Sequence, residues 1–222
     1  MWQFFAKYKP FALVISVLSV LIISIIYQVL KPEPKLNIYQ PNQVHPDLVD
    51  STLLHVKKYH RIADFALVNQ EGDTITQDNF NDRIYVADFF FTTCATICPI
   101  MTEHMSQIQD RLRDDPSVLL LSHTVTPDID TVAKLKKYAT EKGVISGKWH
   151  LVTGNKQKIY DLARKSYLVA KDKPYNSYDL VHTENFVLID TKRRIRGFYD
   201  GTDSEAVETL LSDIKILQKE GQ

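Results

Sequence analysis

The first thirty positions show no alternation of polar and apolar residues. Phe11 to Leu30 reads FALVISVLSVLIISIIYQVL, without a charge, Pro or Gly. Twenty residues at about 1.5 Å each make a helix roughly 30 Å long, the thickness of a bilayer's hydrocarbon core. A helix buried in a globular core more often carries a polar stripe. The run also exceeds the roughly 7–15 apolar residues of a signal peptide, and it ends in YQVLKPEPK, which offers no small-residue cleavage site. The pattern predicts a retained transmembrane anchor. Lys7 and Lys9 on one side balance Lys31 and Lys35 on the other, and the lack of acids before the span tilts the reading towards an N-terminus inside.

After the anchor the pattern changes twice. Residues 31–50 hold four of the nine prolines and little periodicity, so they read as an extended tether. The chain then divides into a short segment 1–10, an anchor 11–30, a tether and lead-in 31–59, and a domain 60–222. Within the domain, 62–68 and 74–76 around Glu71-Gly72 predict a hairpin. The run IYVADFFF over 84–91 suits a buried central strand. Pro99 fits the first position of a helix that continues to Arg113. A strand over 118–125 follows, then a helix carrying Val132, Leu135, Tyr138 and Ala139, capped by Asp130 and stopped by Gly143. A strand over 149–153, a helix over 155–165 and a polar loop over 171–183 come next. Residues 185–190 and 195–200 read as a second hairpin, and Thr202 with Glu205 as the capping box of a last helix burying Val207, Leu210, Leu211, Ile214 and Leu217. Strands alternating with helices, then a hairpin and a terminal helix, predict an α/β sandwich with a mixed sheet of thioredoxin type, flanked by helices.

Charge narrows the function. The 222 residues carry 27 basic and 27 acidic side chains, and the first thirty hold two lysines and no acid. The domain is therefore slightly acidic, which argues against nucleic acid as a main partner. The chain has two cysteines, too few for a disulfide scaffold or a four-cysteine zinc site.

Those two, Cys94 and Cys98, lie in FFFTTCATICPIMTEHM, at a predicted strand–turn–helix junction. Both sulfurs sit on one tight loop. Cys98 immediately precedes the helix, whose free N–H groups and dipole favour a thiolate. Three residues separate the pair, where the thioredoxin redox motif has two. The wider loop suits two thiolates converging on one soft ion, Cu(I) or Zn rather than Mg or Ca, as well as closing on each other. A short-loop disulfide would be a weak structural staple. A third ligand would normally be His, and the candidates are His45, His55, His60, His104, His123, His150 and His182. His45 is in the tether, and His55 and His60 precede the core. His104 is well off the Cys98 face of its helix, and His123 and His150 fall inside strands. His182 closes a polar loop before the strand NFVLID, where a scaffold places functional groups, and is the best placed of the seven. Met101 reads as a core methionine that could alternatively face Cys98. Asp88 reads as a buried carboxylate or as one facing a polar edge, and Lys192-Arg193-Arg194 as a solvated turn.

FFFTTCATICPIMT, the PDIDT after a strand, and VHTENFVLID with its one His resemble the Sco/SenC family over about residues 60–217. The resemblance implies a thioredoxin-like domain held at a membrane outside the cytoplasm. It implies one copper ion bound by Cys94, Cys98 and His182, and assistance to the copper A centre of cytochrome c oxidase, with the copper-bearing oxidase subunit as partner. A bacterial inner membrane with the domain in the periplasm is favoured, because no Arg-rich, acid-poor presequence precedes the anchor. Two positions depart from the family pattern. Ala95 stands where Pro usually follows the first Cys, and Thr126 where Asp usually precedes Pro127. Two rivals use the same fold. A membrane-tethered thiol–disulfide oxidoreductase would use Cys94 as nucleophile and Cys98 as resolving thiol, although His182-Thr183-Glu184 occupies the place where reductases carry a cis-Pro. A peroxidase or redox sensor would lack an Arg near the thiols in sequence.

Overall fold

The computed structural model describes residues 2–30, 34–170 and 183–221. The chain forms two compact units, Met1–Pro34 and Lys35–Gln222. The first is one helix, α1 (Trp2–Leu30), with Pro10 inside it. Its stretch Tyr8–Gln28 is long and apolar enough to cross a membrane, and none of it is buried against protein. The helix begins before the uncharged run because Lys7 and Lys9 are good helix formers.

The second unit is a seven-stranded mixed sheet in the order β2-β1-β5-β4-β3-β6-β7. Its strands are β1 (Ala66–Asn69), β2 (Thr74–Thr76), β3 (Ile84–Phe90), β4 (Val118–Thr124), β5 (Trp149–Thr153), β6 (Asn185–Ile189) and β7 (Ile195–Asp200). β3, β4 and β5 run parallel, and β6 joins β3 antiparallel. Every residue of β3 and β4 is buried, as strands covered on both faces require. Alternation sorts their side chains between two cores. Tyr85, Ala87 and Phe89 join Leu119 and Leu121 under α4 (Lys156–Asp161) and the π-turn Leu162–Ser166. Ile84, Val86 and Phe90 join Val118 and Leu120 under α2 (Cys98–Arg111), α3 (Val132–Glu141) and α5 (Ser204–Glu220).

Three local expectations need correction. The first hairpin's strand starts at Ala66 rather than Ile62, since 62–65 have no pairing partner in the sheet. Thr131 caps α3, accepting from the Lys134 amide, while Asp130 is drawn inward. Asp203 caps α5, accepting from the Glu205 amide, while Thr202 bonds Asp200 instead. In both cases two cap-competent residues are adjacent, and the buried or turn-bound one is taken out of the contest.

Part of the stretch 31–59, read from composition as tether and lead-in, is hydrogen-bonded to the rest of the folded unit, as is Ile62 just beyond it. The Tyr39 amide donates to Ile195 O at 2.9 Å and the Ile62 amide to Arg193 O at 2.9 Å. Arg196, 4% exposed, ties this segment down. Its guanidinium donates to Asn37 O (3.0 Å), Leu36 O (2.8 Å), Asp190 Oδ2 (3.0 Å) and Glu220 Oε2 (2.7 Å). Arg196→Met leaves Glu220 and the two carbonyls without this donor and Asp190 with one fewer. Removing one partner of a buried ionic cluster costs about 3–5 kcal/mol. Urea denaturation is expected to show a loss of about 3 kcal/mol, with faster amide exchange at Leu36 and Tyr39.

Candidate dithiol site

The site lies where β3 stops and α2 begins. β3 is a buried strand that delivers the chain to one end of the sheet, and the helix begins at Cys98, with Pro99 second in its first turn, where an N–H would have no helical partner. Between them, the Cys94 amide closes a turn onto Phe91 O at 3.2 Å. Both cysteines are free thiols, Cys94 partly exposed and Cys98 buried. Cys98 packs with Phe90, Met101 and Met105 on the α2 face, so Met101 is a core side chain.

The two thiols differ sharply in proton affinity. Burial alone would raise Cys94, but hydrogen bonds from the Thr96 hydroxyl, the Cys98 and Thr96 amides and the Cys98 thiol bring it down to about 7. The Thr96 contact is 3.5 Å. Cys98 is pushed up to about 12, chiefly by burial; the Phe91 amide opposes this, and Cys94 and Asp88 add to it. This reverses the expectation that the helix start would favour a thiolate at Cys98. The Cys98 amide at the helix N-terminus serves the sulfur of Cys94, while the sulfur of Cys98 is drawn into the core.

Asp88 is buried, not at a polar edge. It sits opposite Ser122 across β3 and β4, on the α2 face. Burial raises its carboxyl to about 7 against the Ser122 hydrogen bond. Trp149 Nε1 donates to Ser122 Oγ at 2.8 Å, and Asp88 Oδ1 has no partner.

Six of the seven histidines are placed, none as a partner of the thiols. His104 Nδ1 lies 2.7 Å from Gly201 O, and His60 Nε2 lies 2.8 Å from Ser166 O. His45 accepts from the Asp47 amide at 3.3 Å, and His55 is exposed. His123 is fully buried and stacked on Phe89, which lowers it to about 4 through loss of hydration. His150 is buried on β5. His182 and most of the polar loop before β6 lie outside the described residues. Among the described residues, no three His, Cys, Asp or Glu come together as a metal cluster. One constellation escaped the sequence reading. Thr92, Thr124 and Thr126 surround the carboxylate of Asp130; hydroxyls at i and i+2 leaving an apolar strand, with an acid four residues on, were its only local trace.

These features define the class: a thioredoxin-like domain with a partly exposed, easily ionised thiol backed by a buried, protonated one, preceded by an apolar helix. The chain belongs to the SCO1/SenC family, whose model matches residues 55–218. It is 30% identical over 158 residues to the SCO1 protein homolog of Bacillus subtilis, covering 70% of this chain and 82% of that one. The structure resembles BsSco, described as a member of the Sco family of cytochrome c oxidase assembly proteins with a disulfide switch. The TM-score is 0.61 at 29% identity, over 71% of this chain and 93% of that one. Arabidopsis thaliana ScoI, solved with copper bound, shares the fold with a TM-score of 0.56 at 23% identity, over 69% and 97% of the two chains.

Proposed function

We propose that this chain binds one copper ion through Cys94, Cys98 and His182 and assists assembly of the copper A centre of cytochrome c oxidase. α1 anchors it in a bacterial inner membrane with the domain, residues 60–222, on the periplasmic side, within reach of the copper-bearing oxidase subunit. The observation that carries the reading is the pair of thiols on one loop in a member of this family. Two soft donors with one imidazole suit Cu(I). Copper is cargo here. Binding must displace the proton of Cys98, and the cation then offsets the repulsion between two adjacent thiolates.

That requirement gives a test. With Cys94 near 7 and Cys98 near 12, Cu(I) loading of the reduced full chain at pH 8 is expected to release about one proton per copper, and more below pH 6, where Cys94 and an ordinary imidazole at His182 also start protonated. His182→Ala is expected to weaken Cu(I) binding by about tenfold or more while the stoichiometry stays near one. Proton release that ignores pH, or affinity indifferent to His182, would overturn the ligand set.

A second reading is favoured by the same asymmetry. The Cys94 thiolate attacks a disulfide of a target, forming a mixed disulfide and releasing one target thiolate. Cys98 then loses its proton and attacks the Cys94 sulfur, releasing the second target thiolate and leaving this chain oxidised. Reduction of target cysteines before metallation uses the same two residues. Target-disulfide turnover by a Cys98→Ser variant at the full rate would sink this reading.

A further inference from the structure

Asp130 is fully buried, and a buried carboxylate is costly unless donors surround it. Its Oδ1 accepts from Thr92 Oγ1 at 2.5 Å and lies 3.3 Å from Lys134 Nζ. Its Oδ2 accepts from Thr124 Oγ1 (2.5 Å), Thr126 Oγ1 (2.9 Å) and the Thr92 amide (3.2 Å). Burial acts to raise it, but the Thr hydroxyls and the Thr92 amide hold it below the ordinary carboxylate range.

The donors come from two places with different consequences. Thr124 and Thr126 belong to the end of β4 and the turn beyond it. Thr92 opens the thiol loop, two residues before Cys94. Cys98 is fixed independently, being buried in the core at the start of α2. Cys94 sits at the edge of the same core, partly exposed and with its amide bonded to Phe91 O, while Thr93, Ala95 and Thr96 around it are exposed. With its neighbours exposed, the position of Cys94 relative to Cys98 follows in part from where Thr92 is held.

We infer that Asp130 is a positioning residue for the thiol pair: through Thr92, its carboxylate sets the separation of Cys94 from Cys98. It touches neither sulfur. Its effect is to raise the effective concentration of one thiol at the other, which favours disulfide closure and chelation of a soft cation alike. The first consequence does not depend on the copper reading.

The test uses two variants that remove one hydroxyl each from the same carboxylate, Thr92→Val and Thr124→Val, in the full chain in detergent. The readouts are the equilibrium constant for disulfide formation against glutathione (dithiol plus oxidised glutathione giving disulfide plus two reduced glutathiones) and stability in urea. Both substitutions delete a hydrogen bond to a charged group and are expected to cost similar stability. Thr92→Val is expected to lower the equilibrium constant about tenfold, Thr124→Val less than about twofold. Thr92→Ser should restore the wild-type value, and Asp130→Asn should add little once Thr92 is Val. Equal shifts for the two Thr variants, in proportion to stability, would reduce Asp130 to a structural residue and overturn the inference. No shift in either would also overturn it. Cu(I) affinity of the same variants is then compared: an unchanged affinity beside a lowered disulfide constant contradicts the copper ligand set and leaves the positioning role standing.

Discussion

Iodoacetamide at pH 7.5 is expected to alkylate the reduced chain once, at Cys94, and to leave Cys98 unmodified. The thiolate is the nucleophile. A thiol near 7 is largely ionised at that pH, whereas one near 12 is ionised in about one molecule in ten thousand or fewer. Accessibility points the same way, since Cys94 is partly exposed and Cys98 is 4% exposed. A ratio of rates above about a hundredfold is expected, read by mass spectrometry of the quenched digest. Cys98→Ser should leave Cys94 reactive, whereas Cys94→Ser should leave a chain almost inert at neutral pH. Both substitutions should lower Cu(I) affinity by more than about a thousandfold, because a chelating pair of soft donors becomes a single one. Equal alkylation of the two cysteines would contradict the electrostatics of the loop.

Asp88→Asn is expected to stabilise the reduced chain at pH 8 and to leave it nearly unchanged at pH 4. The folded protein raises this carboxyl from 3.8 to about 7 by burial. A raised acid holds its proton more tightly folded than unfolded, so unfolding releases a proton between those two values. Stability from this group is therefore fully present below pH 4, declines as pH rises through 7, and is flat above. A rise of that size corresponds to about 4 kcal/mol as an upper bound, and a gain of about 2 kcal/mol or more is expected for the amide, which needs no proton. His123 moves the other way in an overlapping window. Its folded value falls from 6.5 to about 4, again by burial, so its contribution is lost as pH drops below 6.5. The pH profile of the wild-type chain alone mixes the two, and the difference between Asp88→Asn and wild type isolates Asp88. Urea midpoints at pH 4 and pH 8 check it; a pH-independent difference would mean that Asp88 is not buried as an acid. Asp88 also contributes to the raised proton affinity of Cys98, so the amide variant should ionise Cys98 more easily.

Much of the fold was legible because its central strands are unambiguous. IYVADFF and VLLLSHT are short runs dominated by apolar residues, and the structure buries every residue of both. The thiol loop was legible from Pro99 and from the change of period around it. What escaped were features set by partners distant in sequence. Asp130 looked like a helix cap because a cap needs only local residues; its use depends on Thr92, 38 positions away. Residues 36 and 37 looked like part of a tether because the Pro and polar residues around them suppress periodicity, but Arg196, some 160 positions on, captures their carbonyls. The helix dipole was assigned to the wrong thiol for a similar reason. Sequence places Cys98 at the helix start, but only the folded loop shows that its amide faces the sulfur of Cys94. His182 could be chosen among seven histidines only by its place before a strand and by resemblance.

The most direct test of the central claim is X-ray absorption at the copper edge on the reduced full chain, loaded anaerobically with one equivalent of Cu(I). The account predicts a copper with two sulfur neighbours and one imidazole nitrogen, the nitrogen lost in His182→Ala and one sulfur in either Cys variant. Copper surrounded only by nitrogen and oxygen, or a spectrum unchanged in Cys94→Ser and Cys98→Ser, would contradict it.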